Sequence, residues 1–336
     1  MRCSFFSLGL IGLLTAGHAL AAAPSAPPLT SGAAAQALYA QWFVPQSAQA
    51  SASAQQLHTQ VQQYCAGQAS LAAARAQFTQ ASQDWERLSA LAMGPQIERR
   101  TARMVDFQPL RLPLLKTALR KAPQDLAAME TIGAPAKGFP AAEHLLWGDV
   151  AQPHTPACHY VGLVAAELAQ EMHDLHQANL AASASTSTTL DFHSTAEFLN
   201  QWIGGLERLR WQSMDKPLRS ASPGKPAAVT RAPSQGTLAS WQAQWGSLRH
   251  LAVGDASQPD HVSIARLVEA QGWTRLADEL RTAIQQADAA MQAVDRVELA
   301  RTTPASRALS QLKHLVENDV ALALDVTIGF SDADGD

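Results

Sequence analysis

The chain has 336 residues and a formal net charge of −4, with positive and negative side chains interspersed along it. It carries no basic stripe interleaved with stacking aromatics, which excludes nucleic acid as a partner. The length is enough for one large core or two smaller ones.

Residues 1–23 read as a secretory signal peptide. Arg2 supplies the positive start, Phe5 to Leu14 the apolar core, and Ala19-Leu20-Ala21 a small-x-small cleavage site, with Ala22 and Ala23 as neighbours. The apolar run is too short to span a bilayer, and no later segment qualifies, so no transmembrane span is expected after cleavage. Cys3 precedes the apolar core, which argues against a lipoprotein box. Pro24-Ser25-Ala26-Pro27-Pro28 then forms an extended lead. Cys65 and Cys158 are left in the exported chain. In an oxidising periplasm the two are expected to pair, closing a long loop that contributes about 4 kcal/mol, with two separately buried thiols as the alternative.

Helical periodicity dominates the rest of the chain. Leu71, Ala74, Phe78, Ala81, Trp85, Leu88 and Ala92 recur in steps of three and four, and Gly94-Pro95 is placed to stop that helix. Val161, Val164, Leu168, Met172 and Leu175 form a second stripe, and Phe198, Trp202, Leu206 and Leu209 a third. Leu238, Trp241, Trp245, Leu248 and Ala252 repeat the pattern. So do Leu276, Leu280, Ile284, Ala287, Met291 and Val294, and then Leu309, Leu312, Val316, Val320 and Ala323. No period-two run bounded by turns appears, so the fold class is all-α, built of packed helical bundles. The tryptophans on the stripes read as core anchors. Residues 181–189, small and polar, read as a linker between an N-terminal bundle (24–180) and a C-terminal bundle (190–336). Ser220 to Gly236, rich in proline, glycine and serine, reads as a long excursion, either a disordered crossover or a loop that carries a site.

The segment Gly138-Phe139-Pro140-Ala141-Ala142-Glu143-His144-Leu145-Leu146-Trp147-Gly148 sets a carboxylate and an imidazole near the start of an apolar helix. Pro140 suits a first turn, where its missing N–H costs nothing. Glu143 then either complements the helix dipole or faces a site. Glu143 and His144 are candidate metal ligands, although neighbours on a helix diverge by roughly 100° and chelate together awkwardly. His173 and His176, spaced i,i+3, are a second candidate pair, with scattered surface histidines as the alternative. Asp332, Asp334 and Asp336 alternate like the opening of a calcium loop, but the closing glutamate is missing and an acidic tail is the simpler reading. There is neither an H-E-x-x-H nor a G-x-S-x-G motif.

Taken together, the Trp85 helix leading to Gly94-Pro95, the Lys137–Trp147 segment, Cys158 opening the next helix and the Ile328-Gly329-Phe330 close resemble the imelysin family over nearly all of the exported chain. The resemblance implies two pseudo-symmetric helical bundles, a site near their junction, and a periplasmic or outer-membrane address. It also implies a link to bacterial iron acquisition, with iron or another divalent metal as cofactor and iron-uptake or cell-envelope proteins as partners. In the family pattern G-x-H-x-x-E, Gly138 stands at the glycine and Glu143 at the glutamate, while Pro140 replaces the histidine. Proline has no ligand atom, which sets the chain apart at the point where metal chemistry is expected. Three functions are open on this reading: a non-catalytic protein that binds or delivers iron or another metal, a metal-dependent peptidase with Glu143 as base, and a helical module that binds a protein partner or a polymer.

Overall fold

The computed structural model describes residues 31–184, 193–255 and 257–329, and among these the regular structure is helical, without a strand. The signal segment 1–23 and the acidic tail from Phe330 onward lie outside the described residues. So does the greater part of the expected linker. Its first four residues, up to Ala184, are the end of a helix.

Helix α1 (Ser31–Leu38) passes through a π-helical turn at Tyr39–Phe43 into α2 (Val44–Cys65). No periodic stripe marks α2, because its buried face is built largely of small residues such as Ser47, Ala50, Ser53 and Ala54. Small side chains let α2 lie close along α9 (Pro156–Ala184), its main neighbour. Helix α3 (Leu71–Ser89) starts at Ser70, whose hydroxyl accepts from the Ala73 N–H at 3.2 Å. It buries Ala74, Phe78, Ala81, Trp85 and Leu88, the expected stripe. The helix ends at Ser89, a full turn before Gly94. The carbonyls of Ser89 and Ala90 lie 3.3 and 3.5 Å from the buried Arg208 guanidinium, which takes over the terminal acceptors.

Four short helices come next: α4 (Pro95–Glu98), α5 (Thr101–Val105), α6 (Leu112–Lys121) and α7 (Leu126–Met129). They lead to α8 (Gly138–Trp147), which packs on α9 and α3. A disulfide between Cys65 and Cys158 ties the end of α2 to the start of α9.

The second group of helices comprises α10 (His193–Glu207), a π-helical continuation over Arg208–Asp215, α11 (Lys216–Arg219), α12 (Thr237–Val253), α13 (Ile264–Ala270), α14 (Thr274–Gln292), α15 (Leu299–Leu315) and α16 (Ala321–Ala323). Within it α14 packs on α12, α13 and α15. The groups meet where α3 crosses α12 and α1 crosses α10, and one continuous apolar cluster runs through both. The crossing at Gly205 is close: a Cβ there would stand 2.1 Å from the Ala90 carbonyl oxygen. Among the described residues, no helix is long and apolar enough to cross a membrane.

Gly138 sets the position of α8. Its φ is +69°, and a Cβ on it would lie 2.2 Å from the Val105 carbonyl oxygen. The glycine therefore lets the start of α8 rest directly on the end of α5. Gly138→Ala is expected to destabilise the protein by about 2–3 kcal/mol, combining left-handed strain with displacement of that carbonyl. A chemical denaturation midpoint unchanged from the parent would contradict this.

Candidate functional site

The polar centre of the molecule sits where the two groups of helices meet. The loop from Ser220 to Gly236 crosses from the second group and inserts Arg231 among carboxylates of the first. Arg231 is only 2% exposed. Its Nη2 lies 2.6 Å from Asp106 Oδ2, on the stretch just after α5, and 3.3 Å from Glu86 Oε1 on α3. The guanidinium carbon stands 5.1 Å from the centre of the Phe139 ring and 6.0 Å from that of Phe78. Nε and Nη1 make no hydrogen bond in this setting, and the aromatic faces supply part of what those donors lack.

The loop is shaped to deliver this side chain. Arg231 and Gln235 both have φ of +59°. The Gly236 N–H donates to the Arg231 carbonyl at 2.9 Å, and Thr237 Oγ1 donates to the Thr230 carbonyl at 2.7 Å. A non-glycine residue at positive φ is strained, and here the buried ion pairs hold it. The same turn presents Ser234 to α8. Both its N–H, at 3.0 Å, and its hydroxyl donate to Glu143 Oε1.

Each carboxylate has its own support. Asp106 accepts from Trp85 Nε1 at 3.1 Å and from Gln108 Nε2 at 3.0 Å. Glu86 accepts from Gln244 Nε2 at 2.6 Å, which reaches over from α12. Burial pushes the Glu86 carboxyl upward and Asp106 adds to the push, against the opposing pull of Arg231, Gln244 and Ser240. Burial works against the Arg231 charge, but Asp106, Glu86 and Glu143 outweigh it and hold the guanidinium firmly protonated. One fixed cation is thus set among several acids at the junction.

The residues singled out from sequence occupy quite different settings. Gly138 is buried against Val105. Pro140 is buried in the first turn of α8, the position that suits proline. Glu143 points inward, 4% exposed, onto the Ser234 amide. His144 turns away from it, with Nε2 3.3 Å from Asp149 Oδ2 on the exposed side. The divergence of adjacent helical residues separates the two, as the geometry of a helix requires. His176 sits 3.1 Å from Ser47 Oγ in the α2–α9 seam, and His173 is exposed.

These residues do not fit a metal. Pro140 offers no donor atom, and Glu143 Oε1 already takes two donors from Ser234. Among the described residues no three His, Cys, Asp or Glu side chains converge on one point. Sequence reasoning misses Glu86, Asp106, Arg231 and Ser234. The composition of the 220–236 loop is their one signal, and it marks a segment without marking a side chain.

Comparison with known proteins gives one consistent answer. The family model described as Imelysin, peptidase M75, matches residues 35–320. An imelysin-like protein from Psychrobacter arcticum 273-4 superposes with a TM-score of 0.73 at 17% identity, covering 92% of this chain and 100% of its own. A protein from Parabacteroides distasonis ATCC 8503, provisionally named iron-regulated protein A precursor, gives a TM-score of 0.72 at 14% identity, covering 91% of this chain and 96% of its own. A search of curated proteins yields no match.

Proposed function

The chain belongs to the imelysin family, and on that footing we propose that it is an exported, non-catalytic member that works as a binding module of the cell envelope, periplasmic or held at the outer membrane. The observation that carries this reading is Arg231, an internal cation that fills the bundle junction and pairs with Glu86 and Asp106. A covalently attached cation already stands among these acids, in the place a metal ion would take. Glu143 holds the arginine loop in place through Ser234. The junction then serves to fix the two helical groups against each other, and recognition falls to the outer surface.

Export is supported by the N-terminal signal pattern, by the disulfide and by the word precursor in the name of the similar protein from Parabacteroides distasonis. That protein's name also supports a place in iron acquisition. A binding module fills such a place by holding a partner or a carrier molecule rather than by ligating the bare ion.

The test is calorimetric titration of the purified, exported form with Fe²⁺, Fe³⁺, Cu²⁺ and Zn²⁺, alongside incubation with unfolded casein with and without chelator. No binding heat at micromolar protein and no cleavage are expected. Stoichiometric metal binding that disappears in Glu143→Ala, or chelator-sensitive cleavage that does so, would refute the reading.

A further inference from the structure

A cleft of about 810 Å³ lies between α2 and α3 on one side and α12 with the 258–261 turn on the other, away from the Arg231 centre. Arg87, Arg249, His250 and His261 line it together with several glutamines, Gln46 and Gln83 among them, and none of its described lining residues is an aspartate or glutamate. The guanidiniums keep donors to spare. Arg87 spends Nη1 on the buried Asp84, which Gln49 and Gln80 also serve, and Arg249 is 48% exposed with only a long 3.8 Å approach to Asp288. Trp42, 6% exposed, belongs to the same wall. Its ring stacks on His250 at 5.3 Å, and its indole N–H has no hydrogen-bond partner. The wall is thus rich in N–H donors and in positive charge, and poor in acceptors that would repel an anion.

Metal cations have no carboxylate to bind there. A single small anion such as phosphate would leave most of the space empty, because the donors are spread over both walls. We propose that this cleft binds a small polyanion, a molecule carrying two or more acidic groups, held by Arg87 and Arg249 from opposite sides and by the glutamine carboxamides along its length. The proposal supplies a ligand class for the binding module argued above and rests on that reading.

Citrate and pyrophosphate, titrated separately into the full exported chain by calorimetry, separate a carboxylate ligand from a phosphate one. Saturable binding of either one is expected, weakened at least tenfold in Arg249→Glu and again in Gln83→Glu. Both positions reach solvent, so circular dichroism should show both variants folded, and Gln83→Glu stands alone should Arg249→Glu misfold. Absence of binding for both anions at millimolar concentration, or binding unchanged in the two variants, would overturn the proposal. The casein and metal-ion results do not depend on this cleft, so failure here is distinguishable from failure of the non-catalytic reading.

Discussion

Arg231→Met is expected to lower the stability of the protein by about 3–5 kcal/mol at neutral pH, with a fall in melting temperature on the order of 10 °C. The side chain is buried, and its loss leaves the buried Glu86 and the largely buried Asp106 without their shared cation. Methionine fills most of the volume between Phe78 and Phe139, so the cost arises from the uncompensated charges rather than from a cavity. A surface ion pair lost in the same way would cost well under 1 kcal/mol. A fall of that smaller size would show that the junction network contributes little.

The pH dependence distinguishes this mechanism from a packing defect. Burial already raises the Glu86 carboxyl above its usual range, and Arg231 is the largest influence opposing that rise. Removing the arginine lifts it further. Where a carboxyl's folded pKa exceeds its unfolded value, the folded state binds more protons, so stability declines as pH climbs through the folded value. The Arg231→Met deficit should therefore be largest near pH 7 and shrink as pH falls toward 5, where the buried Glu86 carboxyl takes up its proton. Thermal melts at pH 5, 6 and 7 measure it. A deficit that stays constant over that range would point to packing.

Much of the fold can be read from the apolar periodicity, because α3, α9, α12 and α14 each bury most of one apolar stripe. Helix α2 escapes that reading. The first half of its buried face, Ser47, Ala50, Ser53 and Ala54, carries no large apolar residue, and only Leu57, Val61 and Tyr64 further on mark the side that packs on α9. The site divides in the same way. The inward direction of Glu143 is consistent with local helix geometry around Pro140, and the side chain is buried there. The identity of what Glu143 meets is not a local matter. Arg231 and Asp106 are 125 residues apart, and the pairing depends on how a proline- and glycine-rich loop folds back across the junction. For His173 and His176 the local spacing is legible but the surroundings are not: the α2–α9 seam takes in His176 and leaves His173 in solvent.

Removal of the disulfide is the second change with a large expected effect. Cys65 and Cys158 lie 93 residues apart, and the bond closes a loop that contains α3 to α8, including Glu86, Asp106 and Glu143. In the chain-entropy account a loop of that length contributes about 4–5 kcal/mol by restricting the unfolded chain. The paired variant Cys65→Ser with Cys158→Ala, with alanine at the position that is wholly buried, should keep its helical circular dichroism at about 20 °C while its melting temperature falls by roughly 10 °C. Dithiothreitol should reproduce the shift in the parent and leave the variant unmoved. The native contacts around α2 and α9 persist in both cases, so the loss belongs to the unfolded state, and the variant's unfolded chain should be the more expanded, with a larger denaturant m-value. A melting temperature insensitive to reductant would mean that the packing of α2 against α9 already restrains these segments before the bond forms.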